Sequence, residues 1–149
     1  MDCGNGTVTD TVTGLIWLKD ASCSGSGYYV AANNAAAGLQ GGLCGLTDNS
    51  LPGDWRLPTK TEWEETMARA VVLGCTYANA PSLTNTPGTD CYNSGPQQFT
   101  GVQSLAYWSS TTYDMNPEIA WYVDMFHGAV VGMFKELNYT WSVWPVRGG

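Results

Sequence analysis

An α+β fold is what this sequence predicts, and three observations carry that reading. One well-signalled helix begins at Thr59, and the last third of the chain alternates aromatic and β-branched residues in runs of strand length. Loops rich in Pro, Asn and Gly separate these parts, with no repeating strand–helix unit that would suggest a parallel sheet. The elements follow in order. Asn5 to Leu18 reads as two short strands: Thr/Val alternation supplies the strand signal, and Asp10 and Gly14 supply the turn. The Ala-rich run Tyr28 to Leu39 predicts a first helix ending in the Gly41-Gly42 pair. Residues 41–58 are loop, closing on Gly53-Asp54-Trp55-Arg56-Leu57-Pro58, where Arg56 is placed to meet a carboxylate or to cap carbonyls.

Thr59 then caps the second helix, with Glu62 three residues on as its capping-box partner. Trp63, Met67, Ala70 and Val71 recur at helical spacing until Gly74. Residues 76–104 carry only scattered hydrophobes, and a loop that long is usually functional or stapled. From Leu105 the strands follow: Ala106 to Tyr113, Ala120 to Phe126, a tight turn at His127-Gly128, Ala129 to Lys135, and Ser142 to Val146. Within Ala120 to Phe126, alternation sends Trp121, Val123 and Met125 toward a core and Tyr122, Asp124 and Phe126 to the other side.

The 149 residues suit one domain spanning 1–149. There are 13 acidic against 6 basic residues, a net charge of -7 that argues against nucleic acid, sulfated sugars and anionic membrane surfaces as partners. No run of 18 apolar residues provides a transmembrane segment. Met1-Asp2-Cys3-Gly4 lacks signal-peptide features, so the protein is expected either to be cytosolic or to have lost its leader. The cysteines favour the second reading. Cys3, Cys23, Cys44, Cys75 and Cys91 include no CxxC pair and are joined by a single histidine, which is poor material for a zinc site. Cys23 and Cys44 flank the first predicted helix, and Cys75 and Cys91 flank the long loop. The preferred pairing among the possible connectivities is therefore Cys23–Cys44 and Cys75–Cys91, the alternative being five small buried thiols. A secreted or cell-surface location follows, with the periplasm as a further compartment that permits disulfides.

Five motifs point further: Thr7-Val8-Thr9-Asp10 followed by Thr13-Gly14-Leu15-Ile16-Trp17; Asp54-Trp55-Arg56-Leu57-Pro58-Thr59 with Glu62; Tyr107-Trp108-Ser109-Ser110-Thr111; Ala120-Trp121-Tyr122-Val123; and Val146-Arg147-Gly148-Gly149. In this order they resemble the bacterial family named for the C-terminal domain of the Legionella collagen-like adhesin (Lcl). The resemblance implies a C-type-lectin-like fold, with paired terminal strands and two helices beside a twisted sheet. It also implies a surface-displayed or secreted binding module, sometimes trimeric. Two departures are visible. Trp144-Pro145 precedes Val146 where relatives usually place a basic residue and a small residue or Cys. Asn5-Gly6-Thr7 lacks the Asp often found before the Gly-Thr, which weakens a metal reading of that turn.

Catalytic chemistry is sparsely provided. His127 is the sole histidine and falls in a turn, so a Ser/His/Asp triad has no better base. No cysteine follows Cys91, against the copper and thiol chemistry of the formylglycine-generating enzymes that share the implied fold; an enzyme of that kind is the weakest alternative. Glu62, Glu64 and Glu65 suit a helix start. No cofactor is required. Calcium is the candidate ion, since it takes six to eight oxygens from loops. Its candidate clusters are Asp2/Asn5/Asp10, Asp48/Asn49/Asp54 and, best spaced, Asp114/Asn116/Glu118. The aromatic surplus is the other functional signal. Trp17, Trp55, Trp63, Trp108 and Trp121 read as core, while Tyr139, Trp141 and Trp144 suit a binding face as well as a core. The expectation is a non-enzymatic module that binds a surface carbohydrate or protein. Its site would comprise Tyr113, Asp114, Asn116, Tyr122, Asp124, Phe126, Glu136, Asn138, Tyr139, Trp141 and Trp144. The alternative is a homotrimeric assembly module built on the late aromatics.

Overall fold

A computed structural model describes residues 1–135 and 139–148. Glu136 and Asn138, two of the expected ligand contacts, lie outside the described residues. The chain opens with β1 (Thr7–Thr9) and β2 (Leu15–Leu18), joined by the expected turn, in which Asp10 accepts the Gly14 N–H on its carbonyl. A short β3 (Ser26–Gly27) leads into α1 (Tyr29–Ala37). That helix stops at Gly38, short of the Gly41-Gly42 pair: the Gly38 N–H still meets the Asn34 carbonyl, but the Leu39 N–H turns to the Ala36 carbonyl and the helical ladder ends.

The second helix, α2 (Lys60–Val72), begins with the predicted capping box. The Thr59 hydroxyl accepts the Glu62 N–H, and the Glu62 carboxylate accepts the Thr59 N–H. Glu62 also takes a two-pronged bond from Arg56 at 2.7 and 2.9 Å, and Arg56 reaches on to the Leu57 and Gly148 carbonyls. Both roles anticipated for Arg56 are therefore filled at once. Trp63, Met67 and Ala70 form the buried stripe, but Val71 points to solvent and Thr66 is buried instead. Thr66 can go inside because its hydroxyl bonds back to the Glu62 carbonyl.

The remaining strands are β4 (Ala106–Thr112), β5 (Ile119–Asp124), β6 (Ala129–Phe134), β7 (Trp141–Ser142) and β8 (Val146–Gly148). The expected single strand from Ser142 to Val146 is in fact two. After Ser142 the chain leaves one sheet, and the Pro145 carbonyl accepts the Leu18 N–H as it enters the other. The smaller sheet has order β1-β2-β8, so strands from the two ends of the chain share β2. The larger sheet has order β3-β7-β4-β5-β6.

The main core lies between these sheets and α2. Trp17, Trp63, Trp144 and Tyr107 pack with ring centroids 4.7 to 6.1 Å apart, and Phe99 from the long loop closes on Trp144 at 5.0 Å. Buried indoles need a partner for their N–H. Trp144 donates to the Leu18 carbonyl, Trp63 to Trp108, Trp108 to Gly27, and Trp55 to the Ser50 hydroxyl. Trp121 departs from its expected core position. It lies at the start of α2 rather than under its middle, half-exposed, with the Lys60 ammonium 4.5 Å above its ring and Tyr113 against its edge. Disulfides join Cys23 to Cys44 and Cys75 to Cys91, and Cys3 is free and exposed. The second bridge closes the long loop, whose interior is organised by buried Asn85. Its side chain accepts the Thr89 and Asp90 N–H groups and donates to the Ser94 carbonyl.

Candidate ligand-binding face

Strand pairing decides which late aromatics are buried. Tyr107, Val123 and Val130 oppose one another across β4, β5 and β6 and face the main core; Trp108, Tyr122 and Val131 oppose one another on the outer face. In β7, Ser142 aligns with Tyr107, so Trp141 on its flank belongs to the outer face. Trp144, three residues further on, returns to the core and is fully buried. Trp144 is therefore removed from the expected binding residues, because an odd spacing in extended chain reverses the face.

The outer face is covered only in part. α1 lays Ala32 and Ala36 over Trp108 and Val143, and the Tyr29 ring meets Trp108 edge-on at 5.4 Å. Beyond α1 the rings continue, half-buried at Trp141 and Tyr122 and exposed at Tyr139. Trp141 lies 4.5 Å from Trp108 and 3.8 Å from Tyr122, and Tyr139 stacks on Trp141 at 4.8 Å with planes 21° apart. Tyr139 is 38% exposed, with Val131 beside Tyr122 at 37%. Burial, reinforced by the nearby Asp124 and Tyr139 oxygens, raises the Tyr122 phenol above its ordinary range and keeps it neutral, a hydrogen-bond donor at neutral pH.

Asp124 follows two residues along the same face of β5. Burial disfavours its charge, but the His127 side chain 2.6 Å away and the N–H groups of His127 and Phe126 outweigh it and hold the carboxyl below the usual range. Phe126 and His127 turn instead toward Tyr77, with ring centroids at 5.6 and 5.3 Å. At the other end of β5, about 16 Å away at the usual strand rise, stands the 113–118 turn. Tyr113 packs there on Trp121, on the α2 side of the sheet. The structure thus brings together Tyr122, Tyr139 and Trp141, with Asp124 at their border. Tyr113, Asp114 and Asn116 stand apart from them.

The oxygen clusters are largely committed. Asp2 pairs with Lys19, Asp10 with Arg69 and Asp48 with Arg147; Asn5 accepts from Thr7, and Asp54 from the Leu51 N–H. In the third cluster the Asn116 side-chain oxygen takes the Glu118 N–H, leaving Asp114 and Glu118 as its uncommitted carboxylates among the described residues. Calcium there would draw the rest of its six to eight oxygens from backbone carbonyls and water.

A separate cavity of about 230 Å³ lies between β1, α2 and the long loop, with Trp17, Phe99, Trp144 and Leu83 at its floor and the Asp10–Arg69 pair at its wall. Sequence reasoning missed it because its lining comes from four distant segments; Asp10 and Arg69 are 59 residues apart. That pair, with Arg56–Glu62, predicts an acid limb of stability. Burial raises the Asp10 and Glu62 pKa values, but the arginine bonds and backbone N–H groups prevail and lower both. A carboxylate depressed in the folded state stabilises fully above its unfolded pKa, about 4, and loses that contribution as pH falls through the folded value. Tm should be flat from pH 7 to 5 and fall below pH 4, and Arg69→Met should flatten part of that fall.

A disulfide-stapled α+β domain with one aromatic sheet face only partly covered defines the class. Residues 6–147 match the family described as the Lcl C-terminal domain, and the chain belongs to that family. No curated protein matches it in sequence. The family is associated with a surface adhesin, and the two disulfides accord with an extracellular or surface setting. Among the described residues, no helix is long and apolar enough to cross a membrane.

Proposed function

We propose that this chain is a non-enzymatic extracellular adhesion module of C-type-lectin-like fold that captures a neutral carbohydrate on its outer sheet face. The observation that carries the reading is the stack of Tyr139, Trp141 and Tyr122, half-buried at Trp141 and Tyr122 and exposed at Tyr139. Flat rings match the C–H faces of a sugar ring, and aromatic side chains anchor interfaces with little entropy lost on ordering. The Tyr122 hydroxyl and the Asp124 carboxylate border the rings as donor and acceptor for sugar hydroxyls. A net charge of -7 favours a neutral glycan over a sulfated one. No metal is needed in this arrangement, and calcium is expected to leave binding unchanged. Catalysis has little support: the one histidine is held by Asp124, and among the described residues no Ser, Thr or Cys side chain hydrogen-bonds to it.

A glycan array probed with and without calcium tests the reading, followed by titration of the best glycan against Trp141→Ala. Loss of a hot-spot aromatic typically weakens binding by about 30-fold or more. An array with no neutral glycan bound, or equal affinity for Trp141→Ala, would reject it; in the first case a protein ligand on the same rings becomes the reading.

A further inference from the structure

The larger sheet ends in β6, and among the described residues nothing pairs with its outer edge. The Lys135 N–H donates to the Glu118 carbonyl across β5, which sets the hydrogen-bonding phase of the strand pair. Residues 129, 131, 133 and 135 thus bond inward, and the N–H and C=O groups of Val130, Gly132 and Phe134 point away from the sheet. Edge strands are normally blunted by charge, proline, a bulge or shortness. β6 has none of these: it runs Ala-Val-Val-Gly-Met-Phe in unbroken register with β5. The opposite edge, β3, is only two residues long.

We propose that β6 pairs antiparallel with β6 of a second copy of this chain, about a two-fold axis at Gly132. The free groups are self-complementary in that register. Gly132 meets the partner's Gly132, and Val130 meets the partner's Phe134, giving about six backbone hydrogen bonds. Val131 stands opposite the partner's Met133 at a non-hydrogen-bonded position on the outer face. The pairs from Val130 to Phe134 are all apolar and Ala129 meets the partner's Lys135, so no like charges meet at the seam although each copy carries -7. Val131 and Phe134 are 37% and 44% exposed in the single chain and would be covered. Val71, whose methyl group lies beside Gly128, extends the same apolar border. Since each copy has one long edge, pairing closes at two rather than propagating.

Sedimentation of the protein across a concentration series should show its mass rising from one chain to two. Val131→Lys should hold it at one chain with an unchanged circular dichroism spectrum. In a Cys3→Ser background, the double variant Val131→Cys/Met133→Cys should oxidise to a covalent dimer, since non-hydrogen-bonded pairs fall within disulfide reach. Either single cysteine should cross-link poorly. A protein that stays a monomer at all concentrations, a trimer, or a dimer that survives Val131→Lys and fails to cross-link would each overturn the proposal.

Discussion

Replacing Trp144 with alanine is expected to lower stability by about 3–5 kcal/mol, the usual cost of emptying a large buried aromatic site. Two features put it at the upper end. The ring touches Trp17, Trp63, Tyr107 and Phe99, which arrive from β2, α2, β4 and the long loop, so no single shift can close the void. Its N–H donates to the Leu18 carbonyl at 2.8 Å, and truncation leaves that buried acceptor without its partner. Domains of this size hold only about 5–15 kcal/mol in total. Urea unfolding followed by circular dichroism measures the loss. Trp141→Ala, at the open face, should cost clearly less; equal costs would mean that the division of the late aromatics into core and surface is wrong.

Reduction should have an effect of similar size. The bridges close loops with sequence separations of 21 and 16, and restricting the unfolded chain over such lengths contributes about 3 kcal/mol each. The loop held by Cys75–Cys91 carries Leu83 and leads to Phe99, both packed against the main core. Opening the bridge therefore loosens part of the core as well as relaxing the chain. The expectation is a markedly lower denaturation midpoint in dithiothreitol, with Cys75→Ser/Cys91→Ser reproducing about half of the drop. An unchanged midpoint would show that the loop is held by Asn85 and its partners alone.

Legibility in the sequence followed the range of the interactions. The α2 start was readable because Thr59 and Glu62 are three residues apart, and the disulfide partners because each pair brackets one local segment. Sheet faces were readable only within a strand. Alternation separated Tyr122 from Val123, but it could not show that α2 begins beside Trp121 and leaves that ring half-exposed. Nor could it show that the chain changes sheets between Ser142 and Val146, which fixes Trp144 inside and Trp141 outside. The candidate face needed Tyr139, Trp141 and Tyr122 brought together by a parallel β4–β7 contact that leaves no local signature.

The shared use of β2 by β1 and β8 has a mechanical meaning. Both outer strands run antiparallel to β2 and hence parallel to each other, with Val8 and Val146 flanking Trp17. Tension applied between Thr7 and Gly148 pulls β1 and β8 along the strand axis in opposite directions. The two ladders are then loaded in shear, their hydrogen bonds stretched together instead of peeled one at a time. Forced unfolding is governed by the unfolding rate rather than by equilibrium stability. A domain pulled through both ends of this sheet should hold at forces that would unzip a simple hairpin.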